Sequence, residues 1–121
     1  MATDAKFTGA AELTTLHVFD EAPVRVSRVS FPAGVVTHWH QHTGGQLLVV
    51  VTGQARVQRR GEEVIVLAPG ESCVVPPNVE HWHGASDDGP MTHLAISGVT
   101  TLWGEAPGEA PAAAGDAART T

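Results

Sequence analysis

Apolar and polar residues alternate along most of this chain with a period of two, and proline and glycine interrupt the pattern at short intervals. Successive side chains of a strand point to opposite faces, so the pattern predicts β-structure. LTTLHVF (13–19), rich in Leu, Thr, Val and Phe, predicts a first strand ended by Asp20-Glu21-Ala22-Pro23. VRVSRVSF (24–31) sets Val24, Val26, Arg28 and Ser30 on one face and Arg25, Ser27, Val29 and Phe31 on the other. Pro32-Ala33-Gly34 turns into a third strand, VVTHWHQH (35–42), and Thr43-Gly44-Gly45 is the loop after it. QLLVVV (46–51) is almost continuously apolar, as expected for a strand buried on both faces.

Shorter strands follow. QARVQRR (54–60) places Gln54, Arg56, Gln58 and Arg60 on a wetter face, and EVIVL (63–67), SCVVP (72–76), HWHGA (81–85) and MTHLAIS (91–97) complete the series. About eight or nine strands with turn signals every ~8–12 residues predict an all-β domain, an antiparallel sandwich or small barrel. Residues 1–12 read as an N-terminal arm and 13–103 as the folded domain. From Gly104 the composition shifts to Ala, Gly and Pro, so 104–121 reads as a tail that buries too little to order itself. Within it, Ala112–Arg119 has some helical propensity.

Composition narrows the function. At 121 residues the chain has room for a single domain. A net charge of −6, with no basic run longer than Arg59-Arg60, argues against nucleic acid. The longest apolar run, LLVVV (47–51), is far short of the ~20 residues of a membrane span. One cysteine, Cys73, excludes an internal disulfide, and MATDAKFTGA lacks a signal-peptide pattern, so a cytoplasmic protein is expected. Tyrosine is absent, which removes a phenolic acid or base from any mechanism.

Histidine is enriched instead: six of seven fall between 38 and 93. His38, His40 and His42 alternate, so their imidazoles share one face of a strand, and His81-Trp82-His83 repeats the alternation. A β domain has no packing reason to concentrate imidazoles, whereas a divalent metal needs such donors. The candidate ligands are His40, His42, Gln46 and His81, with His38 at the entry of the strand. Gln46 re-enters on the next strand after a short loop; His81 must be brought alongside by the fold. Three nitrogens and an amide oxygen leave open positions on an octahedral ion, the mark of a catalytic rather than a closed structural site. The neutral amide leaves the ion a fuller positive charge than glutamate would. Trp39 and Trp82 flank the ligands and point to the opposite face; Arg25, Arg28, Arg56, Arg59 and Arg60 read mostly as solvated, with Arg56 as a possible anion clamp.

Gly34, five residues, His40-Gln41-His42, three residues, Gln46, six residues and Gly53 resemble the first cupin motif, with Gln46 at the usual acidic position. Gly70, five residues, Pro76-Pro77-Asn78, two residues and His81 resemble the second, with Asn78 in place of a usual glycine and Ala85 in place of a usual asparagine. The resemblance spans roughly residues 24–98 and implies a double-stranded β-helix, or jelly-roll barrel, around one divalent metal. HTGGQ, PPNVEHWHGAS and MTHLAIS are similar to a narrower group: small cupins related to carboxymuconolactone decarboxylases, and manganese-dependent cupin hydroxynitrile lyases.

That likeness implies a metal-dependent enzyme on a small organic substrate, of the lyase type. Mn(II) is the favoured cofactor, with Fe(II), Ni(II) or Zn(II) as competitors, and His83 and His93 are the candidate acid–base residues. Rival readings are an iron or manganese dioxygenase, a biosynthetic isomerase, cyclase or decarboxylase, and a non-catalytic ligand-binding cupin. A homodimer or higher homo-oligomer is expected from the long apolar strand and the tryptophans.

Overall fold

The structure, a computed structural model, describes residues 6–19, 23–98 and 100–108. Its strands are β1 (Glu12–Phe19), β2 (Val24–Phe31), β3 (His40–His42), β4 (Gln46–Thr52), β5 (Ala55–Arg59), β6 (Ile65–Leu67), β7 (Ser72–Val75), β8 (His81–Ala85), β9 (Met91–Gly98) and β10 (Thr101–Trp103). They form two five-stranded antiparallel sheets, ordered β1-β2-β9-β4-β7 and β10-β3-β8-β5-β6. This is the all-β jelly-roll sandwich expected. No helix among the described residues is long and apolar enough to cross a membrane.

The period of two turns one face of each sheet inward, and register orders the inner residues in rows. In the first sheet Phe31 pairs with Met91, Val29 with His93 and His93 with Val50, Ser27 with Ala95 and Ala95 with Leu48, and Arg25 with Ser97 and Ser97 with Gln46. In the second, Ala55 pairs with Ala85, Val57 with His83, and His81 with both Arg59 and His40. The interior is therefore graded, apolar at one end and polar at the other. Phe31, Leu48, Val50, Val57, Ala85 and Met91 are fully buried in the apolar end. Each large side chain there contributes roughly 1.5–3 kcal/mol. That packing holds the strands that carry the histidines.

Several expectations change on folding. The predicted strand 35–42 pairs regularly only over His40–His42, because Val36 and Thr37 form isolated bridges to Gly84 and Phe7. Gly84 is needed at that crossing, since a Cβ would overlap the Val35 carbonyl and Val36 Cα. Strand β4 is not buried on both faces: Gln46, Leu48 and Val50 face in, while Leu47 and Val49 are half-buried and Val51 exposed. Arg56 and Gln58 are not on a wet face but buried. The Arg56 guanidinium donates twice to the Ala85 carbonyl, at 3.0 and 2.7 Å, and Gln58 Oε1 accepts from Trp82 Nε1 at 2.9 Å. Trp39 and Trp82 lie opposite the histidines, as expected, and build a second small core with Val36 and Val64.

Within the stretch read as an arm, Phe7 packs edge-on against Phe31, its ring centroid 5.8 Å away. Of the stretch read as a tail, Gly104 and Glu105 bond to the backbone of Trp39: Trp39 N donates to the Glu105 carbonyl and Gly104 N to the Trp39 carbonyl. The helix considered over 112–119 lies outside the described residues.

Candidate metal centre

Strand β3 places His40 and His42 inward, two residues apart, both buried. The chain then turns at Gly45, whose positive φ of 83° favours glycine, and Gln46 opens β4 facing the same interior. β8 lies beside β3, so His81 is the direct register partner of His40, and His83 follows on the same face. The His40 ring centroid is 4.3 Å from His81, 5.0 Å from His42 and 5.2 Å from His83. Strand β9 points His93 inward, where its Nε2 lies 2.8 Å from His83 Nδ1. The more apolar face of β9, with Leu94 and Ile96, turns outward.

All five imidazoles are held neutral. Burial, reinforced by neighbouring histidines, pushes His40 and His83 well below the ordinary histidine range. Burial lowers His42, His81 and His93 to about 4. Neutral rings expose lone pairs, and the hydrogen bonds decide which nitrogen carries one. Nδ1 of His40 meets the His38 carbonyl at 2.8 Å, Nδ1 of His81 the Val79 carbonyl at 3.0 Å, and Nδ1 of His42 the Thr101 hydroxyl at 3.1 Å. A carbonyl only accepts, so Nδ1 of His40 and His81 carries the proton and Nε2 the lone pair.

This creates two electrostatic anomalies that a cation resolves. Gln46 Oε1 lies 2.8 Å from His81 Nε2, acceptor against acceptor, while Gln46 Nε2 donates to Ser97 Oγ at 2.8 Å. Without a cation this amide orientation is unfavourable, and the oxygen and nitrogen would exchange places. Two donors at ~2.1 Å and right angles on one ion lie about 3 Å apart, close to this spacing. Among the described residues His42 Nε2, His83 Nε2 and His93 Nδ1 are also buried without a partner, and a cation beside Gln46 and His81 accounts for that of His42. Oxygen partners behind ligating imidazoles are the usual support of a metal site. The residues fit a divalent cation.

By donor distance alone the three-histidine cluster is His40, His81 and His83, whose ligand atoms lie within 4.8 Å of one another. Of the sequence-derived candidates, the fold brings His40, His42, Gln46, His81, His83 and His93 to one cavity wall or its back. It does not bring in the His38 ring, which turns to the Gly104 carbonyl at 3.3 Å and lends the site only its backbone carbonyl. Arg56 points to the other side of the sheet. Sequence reasoning missed Trp103, whose ring lies 4.6 Å from His40, and Lys6 and Arg25 at the mouth of the cavity. The signal for Arg25 was present: it alternates in phase with Ser27, Val29 and Phe31. The cavity encloses about 260 Å³.

The cupin domain family matches residues 27–97, and the chain belongs to that family. The (R)-mandelonitrile lyase of Granulicella tundricola is 41% identical over 91 residues, covering 74% of this chain and 70% of that one. A cupin-like protein of Thermotoga maritima superposes with a TM-score of 0.79 at 35% identity, covering 95% of this chain and 86% of the other. A DMSP lyase of Ruegeria pomeroyi, at 19% identity and a TM-score of 0.65, covers 76% of this chain and 50% of its own and shares the fold. Family, lyase relative and histidine cluster together fit a metal-dependent cupin enzyme.

Proposed function

We propose that the protein is a metal-dependent lyase that splits a small hydroxynitrile-type adduct into a carbonyl compound and hydrogen cyanide. The observation that carries this reading is the His83–His93 pair. His83 Nε2 is unpartnered and buried beside the candidate ligands, and its other nitrogen is 2.8 Å from His93. His83 takes the substrate hydroxyl proton on Nε2 while its Nδ1–H donates to His93, which shares the charge that develops. The carbon–carbon bond to the nitrile then breaks, the carbonyl forms, and the proton leaves with cyanide. A divalent cation supplies Lewis acidity toward the substrate oxygen.

His40, His42, Gln46 and His81 are the ligands in this reading. The outer nitrogens of the three histidines each meet an oxygen, whereas His83 Nδ1 meets another imidazole. Mn(II) is the favoured ion, with Fe(II), Ni(II) and Zn(II) as competitors for the same neutral donors. Association as a homodimer belongs to the same reading. Leu47, Leu94 and Ile96 form a half-buried apolar outer face on the first sheet, next to Val74 at 63% exposure.

The test is mandelonitrile cleavage, followed as benzaldehyde release, by protein loaded with each metal in turn. Turnover is expected, lost in His83→Ala with metal content retained, whereas His42→Ala loses the metal. Oxygen consumption would instead indicate a dioxygenase, and ligand binding without turnover a binding cupin. Metal loss in His83→Ala but not His42→Ala would move the site onto the His40, His81 and His83 set.

A further inference from the structure

The cavity has a charge opposite to that of the protein. The chain carries 13 acidic residues and a net charge of −6, yet among the described residues no Asp or Glu lines the cavity, and Lys6 and Arg25 do. Of the other described cations, Arg56 pairs with Asp87, Arg59 with Glu62, and Arg60 with Glu80 and Glu105, while Arg28 stands on the outer face of β2, away from the cavity. Neither Lys6 nor Arg25 has a carboxylate within ion-pair distance among the described residues. Among the described residues no carboxylate in the wall offsets their positive charge.

The fold fixes the backbone at both cations, and their exposed side chains extend from it at the mouth. Arg25 belongs to the inward face of β2 and pairs with Ser97, which pairs in turn with Gln46. Two strand spacings of ~4.8 Å put its Cα about 10 Å from that of Gln46, within one side chain's reach of a molecule seated at the histidines. The Lys6 carbonyl accepts from His38 N at 2.8 Å, anchoring the chain there, and its ammonium stands 5.8 Å over the Trp103 ring. Trp103 in turn lies tilted by 30° against His40. Mouth and histidines are thus linked by one aromatic wall.

We propose that Lys6 and Arg25 form a carboxylate clamp, and that the substrate is a small organic acid whose carboxylate sits at the mouth while its reacting end lies at His83. The clamp rests on the lyase reading for the reacting end, but the anion preference does not. An unpaired arginine fork matches the two oxygens of a carboxylate, and the lysine adds a point charge. A neutral substrate would leave both cations facing an empty mouth.

The test uses metal-loaded protein and two probes of one shape, benzoate and benzamide, titrated by calorimetry. Wild type is expected to bind benzoate at least tenfold more tightly, with an affinity that falls as salt rises. In Arg25→Gln and Lys6→Gln that preference should shrink several-fold, and Arg25→Lys should restore part of it, with melting temperature unchanged. Equal affinity for the two probes in wild type, or an undiminished preference in the double variant, would overturn the clamp. Benzoate held by the metal alone would give that second result. Mandelonitrile turnover in the same preparation reports on the lyase reading separately, so either idea can fail alone.

Discussion

Stripping the metal should make this protein acid-labile in a range where most small domains are untroubled. His42, His81 and His93 are held at about 4 in the fold, against ~6.5 in the unfolded chain. The folded value is the lower one, so the unfolded chain binds the extra protons. Stability is therefore intact above ~6.5 and falls as pH drops from there toward about 4. Between pH 7.5 and 5.5 each such group costs about 1.3 kcal/mol, and the three together about 4 kcal/mol. His40 and His83 are shifted in the same direction, again chiefly by burial, and steepen the loss. A domain with 5–15 kcal/mol in hand would lose about a quarter of it or more. The assay is urea unfolding of chelator-treated protein at pH 7.5, 6.5 and 5.5, read by tryptophan fluorescence. An unchanged midpoint would refute the reasoning, because the imidazoles would then have to be protonated, or compensated, inside the fold. Restoring the metal at 100 times its Kd should return about 2.7 kcal/mol at pH 7.5.

Gly84→Ala should destabilise the fold by at least ~3 kcal/mol in the same urea assay, since its Cβ meets backbone atoms of Val35 and Val36 rather than a side chain able to move. Gln46→Glu should tighten cation binding about tenfold in chelator competition, or ~1.4 kcal/mol, by replacing a neutral oxygen with an anionic one. An unchanged affinity would show that the residue at 46 does not touch the metal.

The strand pattern was legible because alternation, apolar runs and turn residues are local properties, and nine of the ten strands coincide with segments read from them. What burial does to their outer faces was not legible. QLLVVV looks as though it belongs between two layers, yet only its Gln46, Leu48 and Val50 side is covered, because the second sheet packs on one face of the first. QARVQRR looks amphipathic, yet Arg56 and Gln58 are buried because a carbonyl of β8 and the Trp82 indole supply partners that lie more than twenty residues away. β10 is three residues long, too short to announce itself, and it matters because it sets Trp103 against His40. Asn78, where the cupin motif usually has glycine, sits at φ 64°, and asparagine is among the few residues that accept that conformation. The departure from the motif leaves the turn intact.

The site divides along the same line between local and distant information. Alternation alone puts His40 beside His42, and His81 beside His83, on shared faces; the pairing of β3 with β8 is what makes one cluster of them. In the proposed reading, the distinction between a ligand and a proton carrier lies a layer further out, in what each Nδ1 meets: a carbonyl behind His40 and His81, a hydroxyl behind His42, an imidazole behind His83. None of those partners is predictable from spacing. The electrostatic character of the cavity is more distant still. Acidic residues outnumber basic ones across the chain by 13 to 7, and a reading from composition expects an acidic surface throughout. Folding sorts them: acids gather at turns and beside Arg56, Arg59 and Arg60, while the inner face of β2 carries Arg25 to the mouth in phase with Ser27, Val29 and Phe31. An amide at position 46 belongs to that sorting, because a glutamate there would place one negative charge two strands from Arg25 and cancel part of the field that the mouth presents.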